Sequence, residues 1–156
     1  MSKEHKYQTQ LTWTGNQGSG TQSYKTYERS YSVSINGKSD IQGSSDPNFR
    51  GDSSKHNPEE MLVMSLSSCH MLWYLHLCSV NSIVVEHYID CAEGTMNENN
   101  DGSGQFKEVI LSPDIVISSG DLALAHSLHE KAHHMCFIAR SVNFPVHCKS
   151  IIKVKD

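Results

Sequence analysis

Thiols and imidazoles are the groups of this 156-residue chain best suited to chemistry. Its five cysteines are Cys69, Cys78, Cys91, Cys136 and Cys148, an odd and widely spaced set that makes a poor disulfide framework. The start, Met-Ser-Lys-Glu-His-Lys, lacks the apolar stretch of a secretory signal. The expected compartment is therefore the cytoplasm, where a cysteine pair is more often catalytic, redox-active or metal-binding than structural. Cys69 stands in Ser67-Ser68-Cys69-His70, inside a long uncharged segment. A functional thiolate needs a cationic stabiliser. The start of that segment, at Pro58, lies about 16 Å away if the chain is helical, beyond the reach of a helix dipole. His70 points about 100° around the same helix. A partner for Cys69 must come from elsewhere; without one, Cys69 is a small core residue. Cys136 is the second candidate. Two thiols meeting between packed helices can cycle between dithiol and disulfide if their Cα atoms approach within about 7 Å. Otherwise they are two unrelated core cysteines. Cys78, Cys91 and Cys148 read as packing residues.

Ten histidines make the net charge sensitive to pH near neutrality. His126, His129 and His133 follow one another at steps of 3 and 4, on one helical face. Three such imidazoles can bind zinc or nickel, or form a solvated or interface face. No Cys-x-x-Cys accompanies them, and no metal or other cofactor is assigned. A Cys–His hydrolase needs an orienting group and oxyanion donors, and a mid-helix cysteine has no helix N-terminus near it to supply the donors. Met61, Met64, Met71, Leu72, Trp73 and Phe137 suit either an apolar binding pocket or a core. Thirteen Lys and Arg against 17 Asp and Glu give a net charge of −4. That balance offers no footprint for nucleic acid or an anionic membrane.

These residues need elements to hold them. Tyr7 to Trp13 reads as a first strand. Tyr27, Arg29, Tyr31, Val33 and Ile35 alternate with polar residues, as in a half-buried strand. Asn36-Gly37 predicts a hairpin in which both turn positions take positive φ, with Lys38 to Gln42 returning. A polar loop containing Arg50 follows. Asn57-Pro58-Glu59-Glu60 announces a helix: Asn57 as N-cap, Pro58 at the first position, Glu60 completing a near capping box. Met61 to Val80 carries no Asp, Glu, Lys or Arg, which raises a membrane span. Six Ser or His residues and the flanking glutamates argue instead for a buried central helix. Ile83 to Ala92 reads as strand, 97 to 104 as a polar turn, and 106 to 117 as strand interrupted near Pro113. Asp121 caps a second helix to about Ala139, with an apolar stripe at steps of 3 and 4. Val142 to Val154 alternates again. The expected fold is α+β, order βββ-α-ββ-α-β, mainly antiparallel sheet with two core helices, in a single domain over residues 1–156.

Asn57-Pro58-Glu59-Glu60, Cys69 ten residues after Glu59, and Cys136 late in a second helix together resemble the OsmC/Ohr superfamily, the osmotically inducible protein C and organic hydroperoxide resistance proteins. Arg50 in the preceding loop, and Trp13-Thr14-Gly15 before a Gly-rich stretch, fit the OsmC branch. The resemblance implies a cysteine-based peroxidase of oxidative-stress defence, acting on organic hydroperoxides as an intertwined homodimer with active sites near the interface. It implies Cys69 as the peroxidatic cysteine, Cys136 as the resolving cysteine, Arg50 as the thiolate-stabilising arginine and Glu59 as the carboxylate orienting it, with Glu60 as a less well-spaced substitute. The implied reductant is an external dithiol, of the lipoyl type in the Ohr branch. His70 and Phe137 depart from the family, where an apolar residue and a proline are usual. The alternative is an OsmC-fold protein that binds a small molecule, or zinc through His126, His129 and His133, without peroxidase activity. If the first helix is unbroken, Glu59 lies about 15 Å along its axis from Cys69. Arg50 and Glu59 then reach a Cys69 site only from the other subunit.

Overall fold

The computed structural model describes residues 3–155. Contacts divide it into two compact units, with the boundary between Met61 and Leu62.

In the first unit, β1 (Gln10–Trp13), β2 (Tyr31–Ser34) and β3 (Ile41–Gly43) form an antiparallel meander in chain order. β2 is shorter than the alternation from Tyr27 suggests. Arg29 is drawn out of the pattern: its guanidinium lies 4.2 Å from the ring centres of both Tyr24 and Tyr27 and donates to both their carbonyls. Pairing with the first segment persists irregularly, and Glu28 O approaches Gly15 so closely that a Cβ there would sit 1.9 Å from it. At Asn36-Gly37 only the glycine takes positive φ, at 76°. The turn is therefore not the mirror-image type, and the chain runs to Ile41 before β3 begins.

α1 (Pro58–Val80) starts where its cap predicts. The Asn57 side chain accepts from Glu60 N at 2.8 Å, and Glu60 Oε2 accepts from Asn57 N at 3.2 Å. Two orphan amides are thus satisfied reciprocally. Asn57→Ala is expected to cost about 1 kcal/mol, read as a lower urea midpoint at unchanged slope; an unchanged midpoint would show that the box is idle. α1 is the one helix among the described residues long and apolar enough to cross a membrane. Its Leu66, His70, Tyr74, Leu77 and Cys78 are buried against protein, while Met64, Leu72 and Val80 are left exposed.

The second unit holds two mixed sheets. β4 (Val84–Asp90), β7 (Pro113–Ser119) and β9 (Ile151–Val154) form one, in the order β4-β7-β9. β5 (Glu93–Glu98), β6 (Gly104–Leu111) and β8 (Val146–Cys148) form the other, in the order β5-β6-β8. The β4·β7 and β5·β6 pairs are antiparallel; β8 and β9 join their sheets in parallel. The order is therefore βββ-α-ββββ-α-ββ, the same α+β class with more strands than the alternation suggests. β5 is exposed along its length and offers no hydrophobic alternation. The split between β6 and β7 falls at Ser112-Pro113. Ser112 N donates to Asp90 Oδ1 at 2.7 Å, and proline has no N–H to give a ladder.

α2 (Leu122–Met135) is capped by Asp121, whose carboxylate accepts from Leu124 N. It ends earlier than the stripe to Ala139 suggests. Cys136 is the C-cap residue, in extended conformation, and the chain turns there to bury it. One core packs Tyr74, Leu77 and Cys78 of α1 on Ala125, Leu128 and Ala132 of α2 and on Ile115 and Ile117 of β7. A second gathers Leu66, Phe106, Val109 and Leu111.

Candidate active site

Cys69 lies two turns into the uncharged part of α1 and is half-buried. The Cys136 side chain returns from the end of α2 to the neighbourhood of Cys69, close enough for the two thiols to influence each other's ionisation. Both are free thiols. Cys136 is 1% exposed. Burial first, and the hydrogen bond with Cys69 second, push its pKa up to about 11. Cys136 is therefore held as a thiol at neutral pH, and its sulfur accepts from Ala139 N at 3.3 Å. Trp73 stands one turn beyond Cys69 on the same face of α1. Its ring meets Phe137 edge-on at 5.8 Å, beside Cys136. A shallow hollow lined by Leu72, Trp73 and His76 adjoins this aromatic wall.

Arg50 and Glu59 belong to the first unit. Arg50 closes a short 3-10 turn at Pro47–Phe49 with φ 65°, a left-handed conformation, and is exposed. Its guanidinium is 5.8 Å from the Tyr24 ring. Glu59 carries a buried Oε2 with no hydrogen-bond partner. Burial, and then the Glu59 charge, raise the pKa of Tyr31. Glu60 is occupied in the α1 cap, which leaves Glu59 as the glutamate of the pair with a free buried oxygen.

The histidines sort differently from their spacing on α2. His126 and His133 are exposed and His129 is buried. Among the described residues the one convergent metal-type donor group is His70, His129 and Cys148. The zinc reading on His126, His129 and His133 is corrected by this placement: only His129 turns inward. Residues three or four apart lie on neighbouring but not identical directions around a helix, and the core admits one of them. Cys148, read as packing from its strand alternation, is the thiol of this group. The sequence signal for it was slight, since a cysteine on the inward side of a strand reads as a small apolar residue.

The fold matches known proteins. A protein-family model described as OsmC-like protein matches residues 51–150. The chain belongs to the OsmC-like family. A solved OsmC-like protein of unknown function from Vibrio cholerae shares 30% identity, with a TM-score of 0.85 over 95% of this chain and 100% of that one. The YmaD protein of Bacillus subtilis is 29% identical over 103 residues, 64% of this chain and 68% of its own. An organic hydroperoxide resistance protein from Elizabethkingia anophelis shares the fold, at TM-score 0.68 and 19% identity over 98% of this chain and 100% of that one. The expectation of an OsmC-like α+β fold stands on these matches, with two helices and mainly antiparallel pairing.

Proposed function

We propose that this OsmC-like chain is a thiol-dependent peroxidase that reduces organic hydroperoxides. The observation that carries the reading is the free Cys69–Cys136 pair, delivered from α1 and from the end of α2 to one neighbourhood, where each thiol acts on the other. The Cys69 thiolate attacks the terminal peroxide oxygen. The O–O bond breaks, the alcohol leaves, and Cys69 becomes a sulfenic acid. Cys136 then attacks that sulfur, forming a disulfide and releasing water. An external dithiol, of the lipoyl class by family likeness, restores both thiols by exchange and leaves as its own disulfide. The wall of Trp73 and Phe137 favours alkyl and aryl hydroperoxides over hydrogen peroxide, because it desolvates an apolar tail beside the reacting sulfur. Equal rates with cumene hydroperoxide and hydrogen peroxide would contradict that preference.

Arg50 supplies the cation that stands against the Cys69 thiolate, and Glu59 orients it by a carboxylate–guanidinium pair. The free buried oxygen of Glu59 supports this role, as does the engagement of Glu60 in the cap. α1 is continuous from Pro58 to Val80, so Glu59 lies about 15 Å along the axis from Cys69. The arginine and glutamate therefore act on the Cys69 of a second copy, in a homodimer of single OsmC-like domains working in the cytoplasm. The exposed Met64, Leu72 and Phe137 are the apolar surface such a dimer covers. Co-refolding Cys69→Ser with Glu59→Ala chains tests the sharing. Half the dimers then carry one intact site, and about a quarter of wild-type activity returns. No recovery in verified heterodimers rejects it.

A further inference from the structure

His70, His129 and Cys148 come from α1, α2 and the end of β8 and have no part in the thiol chemistry. Cys69 and His70 are neighbours in sequence, but about 100° apart around α1: one faces Cys136, the other faces His129. His70 Nε2 is 3.0 Å from His129 Nδ1, and the Cys148 sulfur is 3.6 Å from each. His70 is 1% exposed and His129 6%. We propose that these three side chains form a buried zinc site, separate from the Cys69–Cys136 dithiol.

The spacing is the first argument. Tetrahedral zinc, with bonds of about 2.3 Å to sulfur and 2.0–2.1 Å to nitrogen, sets sulfur about 3.6 Å and nitrogen about 3.3 Å from a neighbouring nitrogen ligand. Both sulfur–nitrogen distances match, and the nitrogen pair needs to open by a few tenths of an ångström. Orientation is the second. The two imidazole planes are parallel within 1°, and the Tyr74 ring lies flat on His129 at 3.9 Å, fixing its direction. Tyr74 is itself held by a bond from its hydroxyl to Ala125 O. The two facing nitrogens and the Cys148 sulfur thus gather at one place in the core, and a swing of each ring towards the sulfur brings both lone pairs onto a metal between them. The third is the surroundings. Asp90 is near enough for its charge to act on both His70 and Cys148, and is pinned by Ser67 Oγ and Ser112 N. It supplies the negative charge that a zinc–thiolate of net +1 leaves unbalanced. The Tyr88 hydroxyl, which also feels the charge of Cys148, is buried without a partner. Such orphans point to an ion or water nearby. Binding takes the proton from the Cys148 thiol to solvent and places each imidazole proton on the nitrogen facing away from the metal.

The test uses the full chain carrying Cys69→Ser and Cys136→Ser, which removes the dithiol as a competing zinc ligand and makes the result independent of the peroxidase reading. Reduced protein is loaded with zinc alone and freed of excess. The expected result is one zinc per chain, with zinc-edge X-ray absorption reporting two nitrogen ligands and one sulfur. Cys148→Ser in that background is expected to weaken zinc binding by more than roughly 100-fold, beyond the loss from disturbing an outer-shell partner. Absence of stoichiometric zinc, zinc without a sulfur neighbour, or affinity unchanged by Cys148→Ser overturns the site. Should Cys148→Ser fail to fold, the X-ray absorption of its parent decides alone.

Discussion

Cys69→Ser is expected to lower the turnover of cumene hydroperoxide with a dithiol by at least about a thousandfold, the scale of losing a covalent nucleophile. A serine hydroxyl is not ionised at neutral pH and does not reduce a peroxide. The half-buried site changes by a single atom, so melting temperature and circular dichroism are expected to hold. Cys136→Ser separates the steps. Its first turnover proceeds, and the sulfenic acid at Cys69 then persists long enough to be trapped by a sulfenate-specific reagent. Wild type closes its disulfide first, because a thiol held beside the sulfenic acid outruns a dithiol in solution. Steady turnover by Cys69→Ser would end the peroxidase reading at this cysteine. Wild type inert with both simple dithiols and dihydrolipoamide would leave an OsmC-like protein that binds rather than reduces.

Acid is expected to unfold the metal-free protein well before its carboxylates titrate. Burial lowers the His70 pKa to about 4, with His133 adding to the shift and Asp90 opposing it. Burial, then His70, then His126 lower that of His129 to about 3. In the unfolded chain both stand near 6.5. As pH falls below that value, the unfolded state takes up protons that the folded state refuses. The stabilisation is whole above about pH 7 and drains away as pH falls towards 4. By pH 5.5 each ring forfeits about 1 kcal/mol, and the shift of His70 to about 4 corresponds to about 3 kcal/mol in full. Because the rings touch, their losses are not additive. Urea midpoints at pH 7.5 and 5.5 in chelator measure the slope, and His129→Gln is expected to flatten it. Equal midpoints for the wild type at the two pH values would show that the core accepts a charged imidazole.

The cap of α1 was legible in the sequence because it is local chemistry: Asn57, Pro58 and Glu60 act on amides within one turn. The approach of Cys136 to Cys69 was legible only as a condition, since apolar helix faces must pack together, and Cys136 makes that approach from beyond the end of α2. β5 was not legible. Met96 is its one large apolar residue and all six positions are exposed, so pairing with β6 rather than burial makes it a strand. The breaks dividing β6 from β7 and β8 from β9 were half legible. Pro113 marks the first, but nothing local marks the second, because side-chain alternation continues through Cys148 and Ile152 while the backbone changes sheets. The histidine group was hidden for a related reason. Periodicity relates His129 to its helical neighbours, whereas His70 and Cys148 reach it through tertiary packing, 59 residues before and 19 residues after it in the chain.

The parallel pairings of β8 and β9 bear on how the chain is made. Val146 lies opposite Val109, and Ile151 opposite Asp114. Each sheet of the second unit is an antiparallel pair until its last strand arrives. During synthesis both pairs wait with one edge open, and the His70–His129 pair waits for Cys148, until residues 146–154 leave the ribosome. Loop closure over that separation is slow compared with the hairpins already made. An open hydrophobic edge on a nascent chain is an aggregation hazard. A chain that stops before Val146 therefore leaves both sheets unsealed, and one that stops between Cys148 and Ile151 leaves only the β4-β7 pair open.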